Sequence, residues 1–392
     1  MTRAFHQVDR VSVLSSCRRV LLGRGVVRDV AQEVLRLGAK RVLVVTDAGV
    51  AKAGLVERVA QPLAAAGLEC RVFAEVVPEP PARIIDRCAS LVREWGADLV
   101  LGLGGGSSLD AAKAAAALGT NPGMVLDYVG MDTLPRAGLP KILIPTTAGT
   151  GSEATRVFVV TDETDNTKKV VYSDHLLPDV ALLDPDLTLS MPRGVTADTG
   201  MDALVHAIES YVSVNATPFT EILALQAIEL IAHNLPVAYA KGNAVGARYN
   251  LLLAANLAGT AFTSGGLGAV HGLSYVLGTE YHMGHGQSNA VMLPHVMAYN
   301  RMGCPEKYAR VAAAMGEPID GLSSMAAAER AVVAVERLLE SLGISSRLSA
   351  HGVARADLDK LVAGGMAQAR LFVPNPRDLA EVDVRRIYEG AL

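Results

Sequence analysis

An alternation in the first half of the chain is the strongest constraint on its fold. Short β-branched runs take turns with helical patterns. Arg41 to Thr46 (RVLVVT) reads as a strand and Ala51 to Ala65 as a helix. Cys70 to Val77 is a second strand, followed by a helix from Pro81 to Trp95. Asp98 to Gly104 (DLVLGLG) leads into a helical Ser107 to Leu118, and the strand Lys141 to Pro145 (KILIP) follows. Such βαβα order predicts a parallel sheet with helices on both faces. The strand cores are almost continuously apolar, as strands buried on both sides must be. From about Thr196 onward the strand runs fade. Thr217 to Ala240, Pro305 to Met315 and Met325 to Leu342 carry helical periodicity instead. The shift falls near Met191–Arg193. An α/β domain is therefore expected over residues 1–192 and an all-helical domain over 193–392.

Charge and cysteine usage remove several function classes. With 36 Lys and Arg against 40 Asp and Glu, the net charge is −4. A nucleic acid or an anionic membrane as main partner calls for a basic surface, so neither is expected. Half the residues are hydrophobic and only 19% are charged, which excludes disorder of the whole chain. Cys17, Cys70, Cys88 and Cys304 lie far apart without a CxxC pair. They form neither a disulfide framework nor a thiolate zinc site and suit a reduced, cytoplasmic protein. The opening MTRAFHQVDRVSVLSS holds no continuous apolar segment, so no secretory signal is expected. Arg248 to Glu280 encloses no charged residue, but six glycines and several polar residues interrupt it. A close-packed protein interior fits that composition better than a membrane span.

Four segments could carry chemistry. Leu101-GLGGGSSLDAAK joins a strand, a glycine loop and a helix start. Glycine lets a phosphate approach the backbone, and a helix N-terminus offers free N–H groups. The same residues also suit a plain tight strand–helix turn. Asp47 ends the Arg41 strand, where it can cap a helix or accept from ribose hydroxyls. Pro145-TTAGTGSE follows another strand, where open α/β sheets bind ligands, and offers Thr146, Thr147 and Thr150. The fourth segment is histidine-based. Asp202 and His206 stand four apart in a helical segment, hence on one face. His271 and His285 follow, 14 residues apart. One Asp with three His can complete the ligand shell of a divalent ion such as Fe(II) or Zn(II), and disfavours Ca(II) or Mg(II). The absence of thiolates points to a catalytic rather than a closed structural metal.

Together these pieces resemble the iron-containing alcohol dehydrogenase family, often called group III. GGGSSLDAAK, PTTAGTGSE, GMDALVHAIESY and HGLSYVLGTEYHMGHGQSNAVMLPHVM stand in the family's order and spacing. The match runs from about residue 10 to the C-terminus. It implies a Rossmann-like first domain, a helical second domain and a soluble, commonly homodimeric enzyme. It maps the metal ligands onto Asp202, His206, His271 and His285. It maps pyrophosphate contacts onto Gly105, Gly106 and Ser107. Further cofactor contacts fall on Asp110, Thr146, Thr147, Thr150 and Lys169, and Leu187 falls near the nicotinamide. Asp47 matches the residue facing the adenosine ribose. A carboxylate there repels a 2′-phosphate, so NAD is expected over NADP.

The implied activity is NAD- and metal-dependent hydride exchange between a small alcohol and its carbonyl. The alternatives are a hydroxyacid–oxoacid transhydrogenase or a 4-hydroxybutyrate-type dehydrogenase acting on hydroxy acids. Two departures stand out. Many members carry HGxxH, whereas this chain has Tyr275 at the second position. The VVPEP segment carries Glu79 where Asn is common. For the proton relay, His282 is the first candidate and Tyr275 the second.

Overall fold

The computed structural model of the chain describes residues 11–165 and 167–392. Most of the segment on which the absence of a secretory signal rests, residues 1–10, lies outside the described residues. Two compact units emerge. One comprises Ser15–Met191 and Asn243–Asn256; the other contains Pro192–Gly242 and Leu257–Leu392.

In the first unit the strands are β1 (Val20–Leu22), β2 (Arg41–Asp47), β3 (Glu69–Val76), β4 (Leu99–Gly104), β5 (Gly130–Met131), β6 (Lys141–Pro145), β7 (Val157–Asp162), β8 (Thr167–Tyr172) and β9 (Val180–Leu183). Among the described residues, six of them form a sheet in the order β1-β9-β6-β4-β2-β3. Every pairing in it is parallel. The helices are α1 (Val30–Arg36), α2 (Ala48–Lys52), α3 (Glu57–Ala65), α4 (Ala82–Trp95) and α5 (Gly106–Leu118). Val42 to Val45 and all of β4 are buried, because helices cover both faces of the sheet. Gly102 makes the closest contact. A Cβ there would stand 2.7 Å from Leu143 Cδ2 and 2.9 Å from Ala112 Cβ. The alanine-rich face of α5 therefore lies directly on the centre of the sheet.

Two expectations needed revision here. The helix predicted over Ala51–Ala65 is broken into α2 and α3. Gly54 sits between them at φ +72°, a conformation that ends a helix. The parallel sheet is also joined by a second one, β5-β8-β7, in which β7 and β8 form an antiparallel hairpin.

The second unit is helical, as predicted. Its elements are α6 (Arg193–Val212), α7 (Pro218–Ala240), α9 (Ala269–Tyr281), α10 (His285–Asn300), α11 (Pro305–Ala314), α12 (Ser324–Ser341), α13 (Leu358–Met366) and α14 (Glu381–Ala391). Helix α8 (Val245–Gly265) begins in the first unit and ends in the second. Thr217 caps α7 by accepting the Thr220 N–H at 3.2 Å, and Ser323 caps α12. Helix α6 is buried on all sides from Thr196 to Val212 save at Asp198 and Thr199. A Cβ on Gly200 would come within 2.4 Å of Leu235 Cδ1, so α6 and α7 cross in direct contact. The charge-free stretch forms α8 and α9, bent by 107° at the glycines between them. Among the described residues, α7 is by length and hydropathy apolar enough to cross a bilayer, as are α8 and α9 if the bent pair is taken as one span; α7 packs on α6 and α11.

Candidate metal centre and nucleotide loops

Three helices deliver the histidine constellation. On α6, Asp202 and His206 stand one turn apart, with His206 Nε2 3.8 Å from Asp202 Oδ1. On α9, His271 lies in the first turn, immediately after the glycine break. On α10, His285 is the first helical residue, and its Nε2 lies 3.6 Å from Asp202 Oδ1. One ligand atom from each of Asp202, His271 and His285 falls within 4.8 Å of the others. The His206 ring stacks on His271, with centroids 4.9 Å apart. Gly286 makes this convergence possible. A side chain there would drive a Cβ to 2.2 Å from the Asp198 carbonyl oxygen on α6.

Two residues that the motif spacing did not single out hold the cluster in place. Glu209, three residues after His206 on α6, accepts from His271 Nδ1 at 2.6 Å. Its other oxygen accepts the Val270 N–H at 2.6 Å, one of the orphan donors opening α9. With Nδ1–H committed to a carboxylate, the Nε2 lone pair of His271 faces the cluster. Asn289, four residues after His285 on α10, donates to Asp202 Oδ1 at 2.8 Å. Ser274 in turn donates to Asn289 Oδ1 at 2.5 Å. Both were findable as polar residues at i+3 and i+4 from a ligand inside apolar helices.

The electrostatics match the geometry. Burial opposes ionisation of Asp202, but His206, His285 and His271 around it hold its pKa below the usual carboxylate range. Burial likewise opposes charge on His271, and Glu209 overrides it and raises its pKa. A buried carboxylate ringed by imidazole nitrogens is a donor set for a borderline divalent ion such as Fe(II) or Zn(II). The residues present fit that group.

The relay candidates separate. The Tyr275 ring lies 6.3 Å from that of His285, centroid to centroid. His282 instead ends α9 in the left-handed conformation, at φ +55°, and is exposed. Its N–H donates to the Leu277 carbonyl, while among the described residues its imidazole makes no hydrogen bond, ion pair or ring contact. The structure brings Tyr275, not His282, to the cluster.

The nucleotide candidates gather at the carboxyl ends of three adjacent strands, β2, β4 and β6. Gly104 (φ +148°) opens the loop, and a Cβ on it would strike Ser108 at 2.7 Å. Gly106 faces Thr150, whose Cγ2 would stand 2.7 Å from a Cβ, and Gly105 faces Thr147. The glycine loop and the threonine loop are thus in contact, with Ser107 at the N-terminus of α5 beside them. Asp47 caps α2 through the Gly49 and Val50 N–H groups at 2.8 and 2.9 Å. Its second oxygen accepts from Ser108 Oγ at 3.2 Å. Thr146 and Leu187 are buried, and Leu187 belongs to the core beneath the sheet.

Two expected cofactor contacts are engaged within the protein. Asp110 accepts from Ser152 Oγ at 2.6 Å and from the Val159 N–H at 2.9 Å. It also pairs with the wholly buried Lys113 at 3.2 Å. Lys169 pairs with Asp165 at 2.6 Å. The adjacent Lys168, on the opposite face of β8, reaches the Pro78–Pro80 turn instead. It pairs with Glu79, whose N–H donates to Ser107 Oγ at 3.3 Å.

With this geometry established, known proteins offer close parallels. The family profile described as iron-containing alcohol dehydrogenase matches residues 17–185. The profile of the C-terminal part of the Fe-containing alcohol dehydrogenase family matches 196–392. Long-chain-alcohol dehydrogenase 1 of Geobacillus thermodenitrificans is 46% identical over 94% of this chain and 94% of its own length. The NAD-dependent methanol dehydrogenase of Bacillus methanolicus is 40% identical over 95% and 97%. The crystal structure of a 1,3-propanediol oxidoreductase superposes with a TM-score of 0.95 at 38% identity, covering 98% of this chain and 100% of that one.

Proposed function

The chain belongs to the iron-containing alcohol dehydrogenase family and is an oxidoreductase, and on that premise we propose that it interconverts a small alcohol and its carbonyl using NAD and a divalent metal. The observation that carries the reading is the convergence of Asp202, His271 and His285 within 4.8 Å, with His206 beside them. Asp202, His206, His271 and His285 would hold the ion, Fe(II) first and Zn(II) as the competitor. A bound ion supplies a Lewis acid for the substrate oxygen, and a bound nicotinamide supplies hydride exchange.

The chain's own residues supply the rest. Glu209 fixes the tautomer and tilt of His271. Asn289 orients the Asp202 carboxylate. Tyr275, beside His285, is placed to pass a proton between substrate and solvent. Residues up to 192 take the dinucleotide: Gly105, Gly106 and Ser107 at the N-terminus of α5, with Thr146, Thr147 and Thr150 across from them. Asp47 receives the adenosine ribose and discriminates against a 2′-phosphate, in keeping with the NAD dependence of the methanol dehydrogenase of Bacillus methanolicus. Leu187, buried in the core beneath the sheet, backs the nicotinamide end rather than lining it. Lys168 takes the place expected for Lys169. The free cysteines agree with a cytoplasmic location, and a homodimer is the proposed assembly.

The test is to strip the metal and reconstitute anaerobically with Fe(II) or Zn(II). NADH oxidation is then followed against short aldehydes, hydroxy-aldehydes and oxo acids. Metal-restored turnover supports the reading and names the working ion. Failure with every ion and every carbonyl overturns it and directs work to paired hydroxy-acid and oxo-acid exchange.

A further inference from the structure

Glu79 stands in an unusual place. It is one of three described non-glycine residues with positive φ, at +52°. That region suits Gly and Asn, whereas a longer side chain there is strained. The strained turn lies between Pro78 and Pro80 and is fastened on two sides. The Glu79 N–H donates to Ser107 Oγ at 3.3 Å, at the N-terminus of α5. Its carbonyl accepts from Thr161 Oγ1 at 3.0 Å, and the Pro80 carbonyl accepts the Thr161 N–H at 3.0 Å, both on β7. So held, the carboxylate pairs with Lys168 on β8. The Lys168 side chain is only 18% exposed, and its partner Glu79 is itself tied to the start of α5 through Ser107.

Resting on the dinucleotide reading above, we infer that Glu79 competes with the cofactor's pyrophosphate for Lys168 and thereby sets how tightly NAD(H) is held. Without cofactor, Glu79 neutralises the lysine. An arriving pyrophosphate must draw Lys168 away from a carboxylate that also repels it across the same loop. The ammonium is shared between two anions, one fixed and one exchangeable. The exchangeable one is held less tightly and leaves sooner than beside a neutral residue. In enzymes where product release limits turnover, faster release of the nucleotide raises the rate.

The experiment titrates NADH by its fluorescence into the metal-loaded protein, comparing wild type with Glu79→Gln, Glu79→Asn, Lys168→Gln and the Glu79→Gln/Lys168→Gln double variant. Removing the carboxylate should lower the NADH Kd by about three- to fivefold, the range of a partly exposed ion pair. Glu79→Asn tolerates the backbone and should match Glu79→Gln even if the latter folds poorly. Lys168→Gln should weaken binding more in the Glu79→Gln background than in the wild type, and salt should weaken Glu79→Gln most. Two results overturn the inference while leaving the dehydrogenase reading intact. One is an unchanged or weaker Kd in both Glu79 variants; the other is an equal effect of Lys168→Gln in both backgrounds. A wild-type protein that binds no NADH overturns both.

Discussion

The candidate metal cluster and the candidate nucleotide loops are built in opposite ways. The cluster is made of side chains on α6, α9 and α10, buried save for the half-exposed His285, and fixed by Glu209 and Asn289. The nucleotide region is made largely of backbone at strand ends, with glycines chosen for what they lack. Side-chain chemistry leaves a strong mark in a sequence, because few residue types can bind a metal. Backbone chemistry leaves a faint one, because a tight turn and a phosphate cradle need the same glycines. The first kind of site should fail abruptly when one residue changes. The second should degrade gradually.

Substitutions can break that contrast, the largest effect first. Asp202→Ala should abolish stable metal binding and lower kcat/KM by on the order of 10³-fold or more, measured with metal content by atomic absorption. Retained metal and activity would mean the cluster is not the catalytic centre. Tyr275→Phe should lower kcat by about 10²-fold with metal content unchanged, the usual scale of a positioned proton donor. Glu209→Gln keeps the volume but loses the carboxylate facing His271 Nδ1. It should weaken metal binding by about 10- to 100-fold in a chelator competition. Asp47→Ala should raise the KM for NAD by about tenfold, the loss of one charged hydrogen bond, and narrow the preference over NADP. His282→Ala should change kcat by less than about twofold, as an exposed surface position does. A large loss there would return His282 to the relay.

The same contrast explains how legible the chain was. The αβ alternation, α4, α5 and the long helices were readable because their periodicity runs over many residues. Strands β1 and β9, of three and four residues, are too short to show a period. The β7–β8 hairpin did carry a signal, two β-branched runs around a polar turn, and it changes the outcome for one lysine. Successive residues on a strand face opposite ways, so a shift of one position exchanges Lys168 and Lys169. In the helices the proposed ligands were readable from their spacing, whereas their supports offered only the fainter signal of a polar residue one turn from a ligand. A glutamate on a helix is usually a solvated residue, and only the fold shows Glu209 buried against His271 and the N-terminus of α9.

The glycine break between α8 and α9 also bears on the order in which the molecule assembles. Asp202 and His285 are 83 residues apart in the chain. Bringing such distant points together carries a closure entropy of about 4 kcal/mol before any constant is added. His271 takes up its position only when the chain has turned at the break and Glu209 has received the first amides of α9. An ion held as proposed therefore cannot nucleate this protein as it nucleates a zinc finger. It has to wait for three helices to dock, and metal uptake during refolding reports the completion of tertiary structure rather than its onset.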